Sequence, residues 1–578
     1  MPRVMVLFCP PSRARLEAPA SDWLVLGKEA SLPARLEERL GRPPRALGGL
    51  LNEEARRLKG PFLELTARLG KGADAASWWA GTLPGKAWDA SDLFLLCCYL
   101  GVSWRLAAGG GSLTVVVEDP WLLCQLEEAL AGSPSARVDA PRTLVPMRLQ
   151  PLLLGLARRL KWASRTAWGR LRQEACWRGR PGGPRMEGVL IYSHLTARSL
   201  QGEEGWEDPF LPGLDKELSE DGVPSARLVY SDSTGFEPQL ARRKAAVLPA
   251  ILWASWGGFF DALAALPPSL PPRADLSGLP VGRLLEREWW HDFSRAGRCA
   301  YRLFLDCVRA LLAEGRFRAV VMPWEAQPQE RMLVLAAKAA GVRSVGYQHT
   351  TVPEFQLPFF STEREYLESP LPDVLLTSGE QPARVLREAG FPAGRLKVGG
   401  TRRYAHLLKD GAPPALPPNG NVLIVLPIDP FHARHLTAAL ERAYPRGLPG
   451  GEFLLRPHPS GPEDVRRTRL RARLAEGPMS EALAACGVVV FTGSTAGLDA
   501  LAAGRPVLRY RPERLLDVEP TDMFPDGEIP TASDADLRER LEGLRKAPPE
   551  GAPEALRSRL RQVFSRLDRA AWRGAVLG

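Results

Sequence analysis

From residue 186 onward the chain repeats one pattern: a short unbroken apolar run, then a stretch of helical period, then another apolar run. The runs are GVLIYS (188–193), ARLVYS, AVVMPW, RSVGYQ, DVLLTS and RLKVGG. After the loop KDGAPPALPPNG come NVLIVLP, EFLLRP, GVVVFTG and PVLRY. A strand without polar alternation has no face for water, so such strands lie inside parallel sheets covered on both sides. The separators, such as ERMLVLAAKAAG and EQPARVLREAG, read as the covering helices. The Pro/Gly stretch 411–420 divides the series. The expected fold is therefore α/β, with two Rossmann-like parallel-sheet domains facing a cleft. The expected domains are 1–410 and 411–548, and a closing helix in 549–578 packs back across them.

The first 140 residues supply further pieces. RVMVLF reads as a strand, and SLTVVVEDPWLLCQLEEAL as a strand, turn and helix. A Trp-rich helical stretch lies between them. This region belongs either to the first large sheet or to a unit of its own. Residues 145–183 differ in character. Within 152–180 there are eight Arg or Lys and one Glu. Leu153, Leu156, Leu160, Ala163, Ala167 and Leu171 recur at spacings of 3 and 4 and share one helical face, with Trp168 at its border. Arg158, Lys161, Arg165 and Arg172 fall on another. Such a helix either packs on its own domain or lies in an anionic membrane interface through 152–180.

Charge and cysteines narrow the classes of function. The formal net charge is +10, which favours anionic partners, yet no nucleic-acid motif accompanies it. The eight Cys show no CxxC pair and no metal-ligand spacing, so neither a disulfide framework nor structural zinc is expected. No run is long and apolar enough for a signal peptide or a membrane span. The expected location is the cytoplasm, peripheral at the inner membrane.

Two motifs carry chemistry. In EFLLRPHPSG a strand stops at Arg456-Pro457-His458-Pro459. The two prolines forbid its continuation and hold His458 at the strand's carboxyl end, where open parallel sheets bind ligands. In GVVVFTGSTAGLDALAAGRPV a strand ends at Phe491, Thr492-Gly493 turn, and Ser494 and Thr495 stand where a helix begins. Hydroxyls there either cap the helix or receive a phosphate. Both motifs are read at the ends of neighbouring strands, so a His and a hydroxyl pair would converge on one phosphate and stabilise it as a leaving group.

These residues resemble the His-Pro and Ser-Ser/Thr motifs of GT-B glycosyltransferases that use CMP-activated donors, among them bacterial sialyl- and Kdo-transferases, and of the related polyol-phosphate transferases. The resemblance implies that His458, Ser494 and Thr495 contact the CMP phosphate. Arg456, Pro459, Thr492 and Gly493 would complete the donor site. The later acidic position of those families falls on Asp499, one methylene shorter than the usual Glu. SWWAGTLPGKAWDASDLF, VVVEDPWL, PWEAQPQERMLVLAAKAAG and GYQHTTVPEF are similar to a bacterial group of surface carbohydrate biosynthesis proteins.

The other half of the cleft must then supply a general base for an acceptor hydroxyl. Glu325, directly after a strand, is the first choice. Glu330 is the second, read as facing solvent or paired with Arg331. Asp119, after TVVVE, is the third. Gln348 and His349 end the next strand. His349 orients the acceptor or a donor carboxylate, or is a structural His. Arg402 and Arg403 are suited to a sugar carboxylate or phosphate, or are surface charge. The chain is thus expected to be an inverting, metal-independent glycosyltransferase. It would move a Kdo- or sialic-acid-like sugar from a CMP donor to a glycan or lipid-linked acceptor, with no cofactor. A polyol-phosphate transferase, a sugar-nucleotide epimerase and a non-catalytic assembly scaffold are the alternatives.

Overall fold

The computed structural model describes residues 4–8, 22–108, 113–133, 136–139, 144–178, 186–195, 199, 206, 208–230, 236–243, 247–271, 273–408, 420–458, 468–524, 527–547 and 552–578. Pro459 and most of the dividing stretch 411–420 lie outside them.

Three parallel sheets organise the described residues. The first contains β1 (Val4–Phe8), β2 (Asp22–Leu26), β3 (Leu113–Val117) and β4 (Ala136–Asp139), in the order β2-β3-β1-β4. The region before residue 140 thus builds its own sheet. Its apolar face is not separate, however: Leu24, Val115 and Leu122 belong to the same continuous core as Leu303 and Leu333.

The second sheet has seven strands: β5 (Glu187–His194), β6 (Ser225–Tyr230), β7 (Val247–Pro249), and, after a two-stranded hairpin of β8 (Asp275–Leu276) and β9 (Leu279–Pro280), β10 (Arg316–Pro323), β11 (Arg343–Gln348), β12 (Val374–Thr377) and β13 (Leu396–Val398). Their order is β13-β12-β11-β10-β5-β6-β7, every pair parallel. Val189, Ala319, Val321 and Val345 point to one face and meet Trp572 and Val576 of the helix Arg569–Leu577.

The third sheet contains β14 (Val422–Val425), β15 (Phe453–Arg456), β16 (Ala472–Leu474), β17 (Val488–Phe491), β18 (Val507–Tyr510) and β19 (Thr531–Ala532), in the order β16-β15-β14-β17-β18-β19. Separate apolar clusters cover its two faces, as buried parallel strands require. The two larger sheets are the pair of Rossmann-like units expected from the repeating apolar runs. The strand order corrects one expectation: β15 and β17 are not neighbours. Val425 of β14 pairs with Arg456 on one side and Phe491 on the other. The ends carrying His458 and Ser494 lie on one carboxyl edge but two strand spacings apart, roughly 9–10 Å.

Candidate functional site

On the second sheet, β10 ends at Pro323 and the chain turns through Trp324-Glu325-Ala326. Ala326 has φ +59°, an uncommon conformation for a residue with a Cβ. The turn is held from several directions. Glu330 Oε2 accepts the backbone N–H groups of Glu325 (2.7 Å) and Gln327 (3.1 Å), and Arg331 Nε donates to the Ala326 carbonyl at 3.0 Å. Arg331 is itself buried, its guanidinium 4.1 Å from the Trp79 ring centre. Glu330 is therefore neither solvent-facing nor a base. It is a buried brace whose carboxyl burial pushes well above the usual range.

The braced turn puts Glu325 beside the end of β11, where Glu325 Oε1 lies 3.3 Å from His349 Nε2. Burial pushes the Glu325 carboxyl up, but the His349 imidazole and then the charges of Arg403 and His194 outweigh it and bring it down to about 2. His349 is 1% exposed, and neither of its ring nitrogens makes a well-formed hydrogen bond. Burial, opposed by Glu325, lowers its pKa, as it does that of His194. Phe210 gathers the group: its ring centre is 4.8 Å from that of His349, 5.4 Å from that of His194 and 5.1 Å from the Arg403 guanidinium.

The charge of Arg403 is felt at both large sheets. Its positive charge acts on Glu325 and His349 at the edge of the second sheet and on His458 at the edge of the third. His458 is half-buried, and burial followed by the Arg403 charge lowers its pKa. Two strands over, Gly493 takes φ +54°, a conformation that favours glycine. Its N–H donates to Glu519 Oε2 at 2.7 Å. Glu519 also accepts from Thr521. Burial moves its carboxyl up to about 7, against the pull of Arg509. Ser494 Oγ accepts from the Ala496 N–H at 3.4 Å, while Thr495 stands at the start of the short helix Ala496–Ala502 without capping it. Thr492 is buried.

Several expected residues have other work. Gln348 is fully buried. It donates to the Thr350 carbonyl and accepts from the Ser378 N–H at 3.2 Å, so it locks the strand end and offers nothing to an acceptor. Arg402 lies under the Trp572 ring and forms a forked ion pair with Glu217 at 2.7 and 3.1 Å, which removes it from sugar recognition. Asp119 caps the helix Pro120–Leu130 through the Trp121 and Leu122 N–H groups and pairs with Arg287 at 2.7 Å. It cannot act as a base on that arrangement. Arg456 donates to the carbonyls of Ala475 and Gly477, tying β15 to the loop after β16. Asp499 is met by His406 Nε2 at 2.7 Å, so its carboxylate is already partnered. Among the described residues no group of three His, Cys, Asp or Glu side chains is placed to hold a metal ion.

The sequence reasoning missed His194, Phe210, His406 and Glu519. His194 had a signal: it follows GVLIYS at the carboxyl end of β5, the same position that singled out His458. Glu519 and Phe210 lie in irregular segments with no periodicity to mark them.

No family model matches the sequence, and no curated protein matches it. Solved structures that align with the chain include CalG4, the calicheamicin glycosyltransferase (15% identity, 68% of this chain and 98% of that one, TM-score 0.40). SnogD, a glycosyltransferase from Streptomyces nogalater, aligns at 17% identity over 69% and 100% with a TM-score of 0.37. The UDP-GlcNAc 2-epimerase from Neisseria meningitidis, bound to UDP-GlcNAc, aligns at 11% over 67% and 99%, also with 0.37. TM-scores this low carry no inference about donor or reaction, which rest on the residues of the site.

Proposed function

We propose that the chain is an inverting glycosyltransferase that takes a CMP-linked acidic sugar as donor and a surface-glycan or lipid-linked hydroxyl as acceptor. The supporting observation is the position of Arg403, whose charge reaches the Glu325–His349 pair and His458 at once. An arginine shared by the carboxyl edges of two parallel sheets suits a ligand whose phosphate faces one edge and whose reacting carbon faces the other.

The roles follow from the electrostatics. A carboxylate held at about 2 is ionised but is a feeble base, since an effective base has a pKa near the working pH. His349, kept neutral by burial, takes the acceptor hydroxyl's proton by way of Glu325, the member of the pair that solvent reaches, and Glu325 then steadies the imidazolium that forms. The hydroxyl oxygen attacks the anomeric carbon, the carbon–oxygen bond to the phosphate breaks, and CMP leaves with the bonding pair. Arg403 and His458 meet the charge that develops on the phosphate oxygens. Ser494, Thr495 and Thr492 are the hydroxyls within the same edge, and Glu519 fixes the turn that presents them. A phosphate with a hydrogen bond on each side spans roughly 8 Å, so the separation of β15 and β17 suits simultaneous contact through flexible side chains. The Arg403 guanidinium, above Phe210, would also receive a donor's sugar carboxylate.

Incubation with CMP-linked and UDP-linked sugars, followed by mass spectrometry, tests this. Release of CMP with an acceptor gaining one acidic sugar is the expected result. An acceptor gaining a phosphopolyol, an epimerised UDP-sugar, or no nucleotide binding at all would replace it with one of the alternatives.

A further inference from the structure

The basic helix Val145–Arg178 has 34 residues, a rod of about 51 Å. An ordinary surface helix buries its apolar face and exposes its polar one. This one is turned the other way. Its packed face is Gly155, Arg159, Trp162, Thr166 and Gln173. Gly155 permits that approach, because a Cβ there would stand 2.4 Å from Phe293 Cε1. Arg159 donates to the carbonyls of Leu263 (2.9 Å) and Ala265 (2.8 Å), and Trp162 stacks on Phe259 with ring centres 5.6 Å apart. These contacts fix the helix's rotation and leave its leucines outside.

The result is a long apolar strip in solvent. Leu153, Leu156, Leu160 and Leu171 are exposed, Leu160 by 67%, and Trp168 by 58%. At 100° per residue these side chains share one side of the helix, well away from the packed face. The adjoining helix Trp256–Ala264 widens the strip: Trp256 and Phe260 are exposed, Phe260 by 61%, and Leu266 follows. Arg170 stands over the Trp256 ring at 5.1 Å and joins the two helices. Along the border run Arg158, Lys161 and Arg165, all exposed. The helix carries eight basic residues and one acidic one, Glu174, which Arg170 and Arg178 hold.

We infer that this face docks on an anionic phospholipid bilayer, lying in its interface. Charge decides between occupants. A second copy would bring two basic borders together, whereas an anionic headgroup layer accepts the border while the strip enters the acyl boundary. No described helix is long and apolar enough to cross a membrane, so the chain would lie on the surface. This goes beyond the donor chemistry and does not depend on it.

The test is flotation of the full chain with phosphatidylcholine vesicles, with and without phosphatidylglycerol. Two variants accompany it: Leu156→Glu/Leu160→Glu and Lys161→Ala/Arg165→Ala. All four side chains are exposed, so thermal unfolding of both variants should match the wild type. The wild type should float with the anionic vesicles and be released by high salt. The leucine variant should stay at the bottom, and the loss of two cations should weaken binding about 30-fold. No flotation of the wild type, or equal flotation of all three proteins, overturns the assignment. So does a wild-type oligomer in sedimentation that the leucine variant dissolves without any vesicle binding.

Discussion

The two carboxyl edges on which the Arg403 charge acts are built on opposite electrostatic plans. At the edge of the second sheet the ionisable groups are already matched: Glu325 lies against His349, with Arg403 and Phe210 closing the group. At the edge of the third sheet the chain offers hydroxyls, a half-buried His458 of lowered pKa, and a glycine turn braced by a carboxyl at about 7. A preformed acid–base pair suits a proton transfer, and a neutral, donor-rich edge suits an incoming anion. On the proposed reading, the difference divides chemistry and donor recognition between the sheets, with Arg403 where they meet.

That division is open to being broken by substitution. His349→Ala should cost about 10²–10⁴ in turnover while leaving nucleotide affinity within about twofold, as steady-state kinetics beside calorimetry would show. A parallel loss of affinity would mean that the edges are not separable. Arg403→Ala should damage both edges, weakening nucleotide binding by about 10–100-fold, as for a lost charge-assisted hydrogen bond, and raising the Glu325 carboxyl toward its usual range. Carboxylate NMR and nucleotide titration read the two effects. Glu330→Ala should lower stability and, by loosening the Glu325 turn, turnover as well: two buried backbone N–H groups lose their acceptor, at about 1–3 kcal/mol each, visible as a lower denaturant midpoint and a lower rate with unchanged nucleotide affinity.

A smaller effect comes from pH. Burial lowers the pKa of His194 and His349, so the unfolded chain binds more protons than the folded one below about 6.5. Their contribution to stability is full above that value and declines as pH falls. Glu519 and Asp522 are both raised to about 7. The folded chain holds their protons, and the stability they contribute is lost as pH rises through about 7. The two groups pull in opposite directions. A Glu519→Gln/Asp522→Asn variant should therefore lose less stability than the wild type between pH 6 and 8, as denaturant midpoints across the range would reveal.

Much of this was legible in the residues and some was not. Unbroken apolar runs gave the parallel sheets because a strand buried on both faces leaves no other pattern. The prolines around His458 and the hydroxyls after Phe491 marked two strand ends correctly. Strand order was not legible: nothing in EFLLRP or GVVVFTG says that NVLIVLP lies between them. Asp119 and Glu330 were misread although their signals were present. Asp before Pro in EDPW is a helix start, and Glu three residues after Gln327, with Pro between, is the far arm of a capping box. Arg402 and Arg403 show the opposite case. They are adjacent and chemically identical, yet one lies under Trp572 against Glu217 and the other stands over the Phe210 ring. A turn decides between them, and only tertiary packing fixes the turn.

The claim beneath all of this is that His458 works on a nucleotide phosphate while His349 works on the acceptor. Calorimetric titration of CMP into the wild type, His458→Ala and His349→Ala tests it most directly. The account predicts saturable binding to the wild type and to His349→Ala with like affinity, and binding to His458→Ala about tenfold weaker or worse. Equal affinity in the wild type and His458→Ala would contradict it.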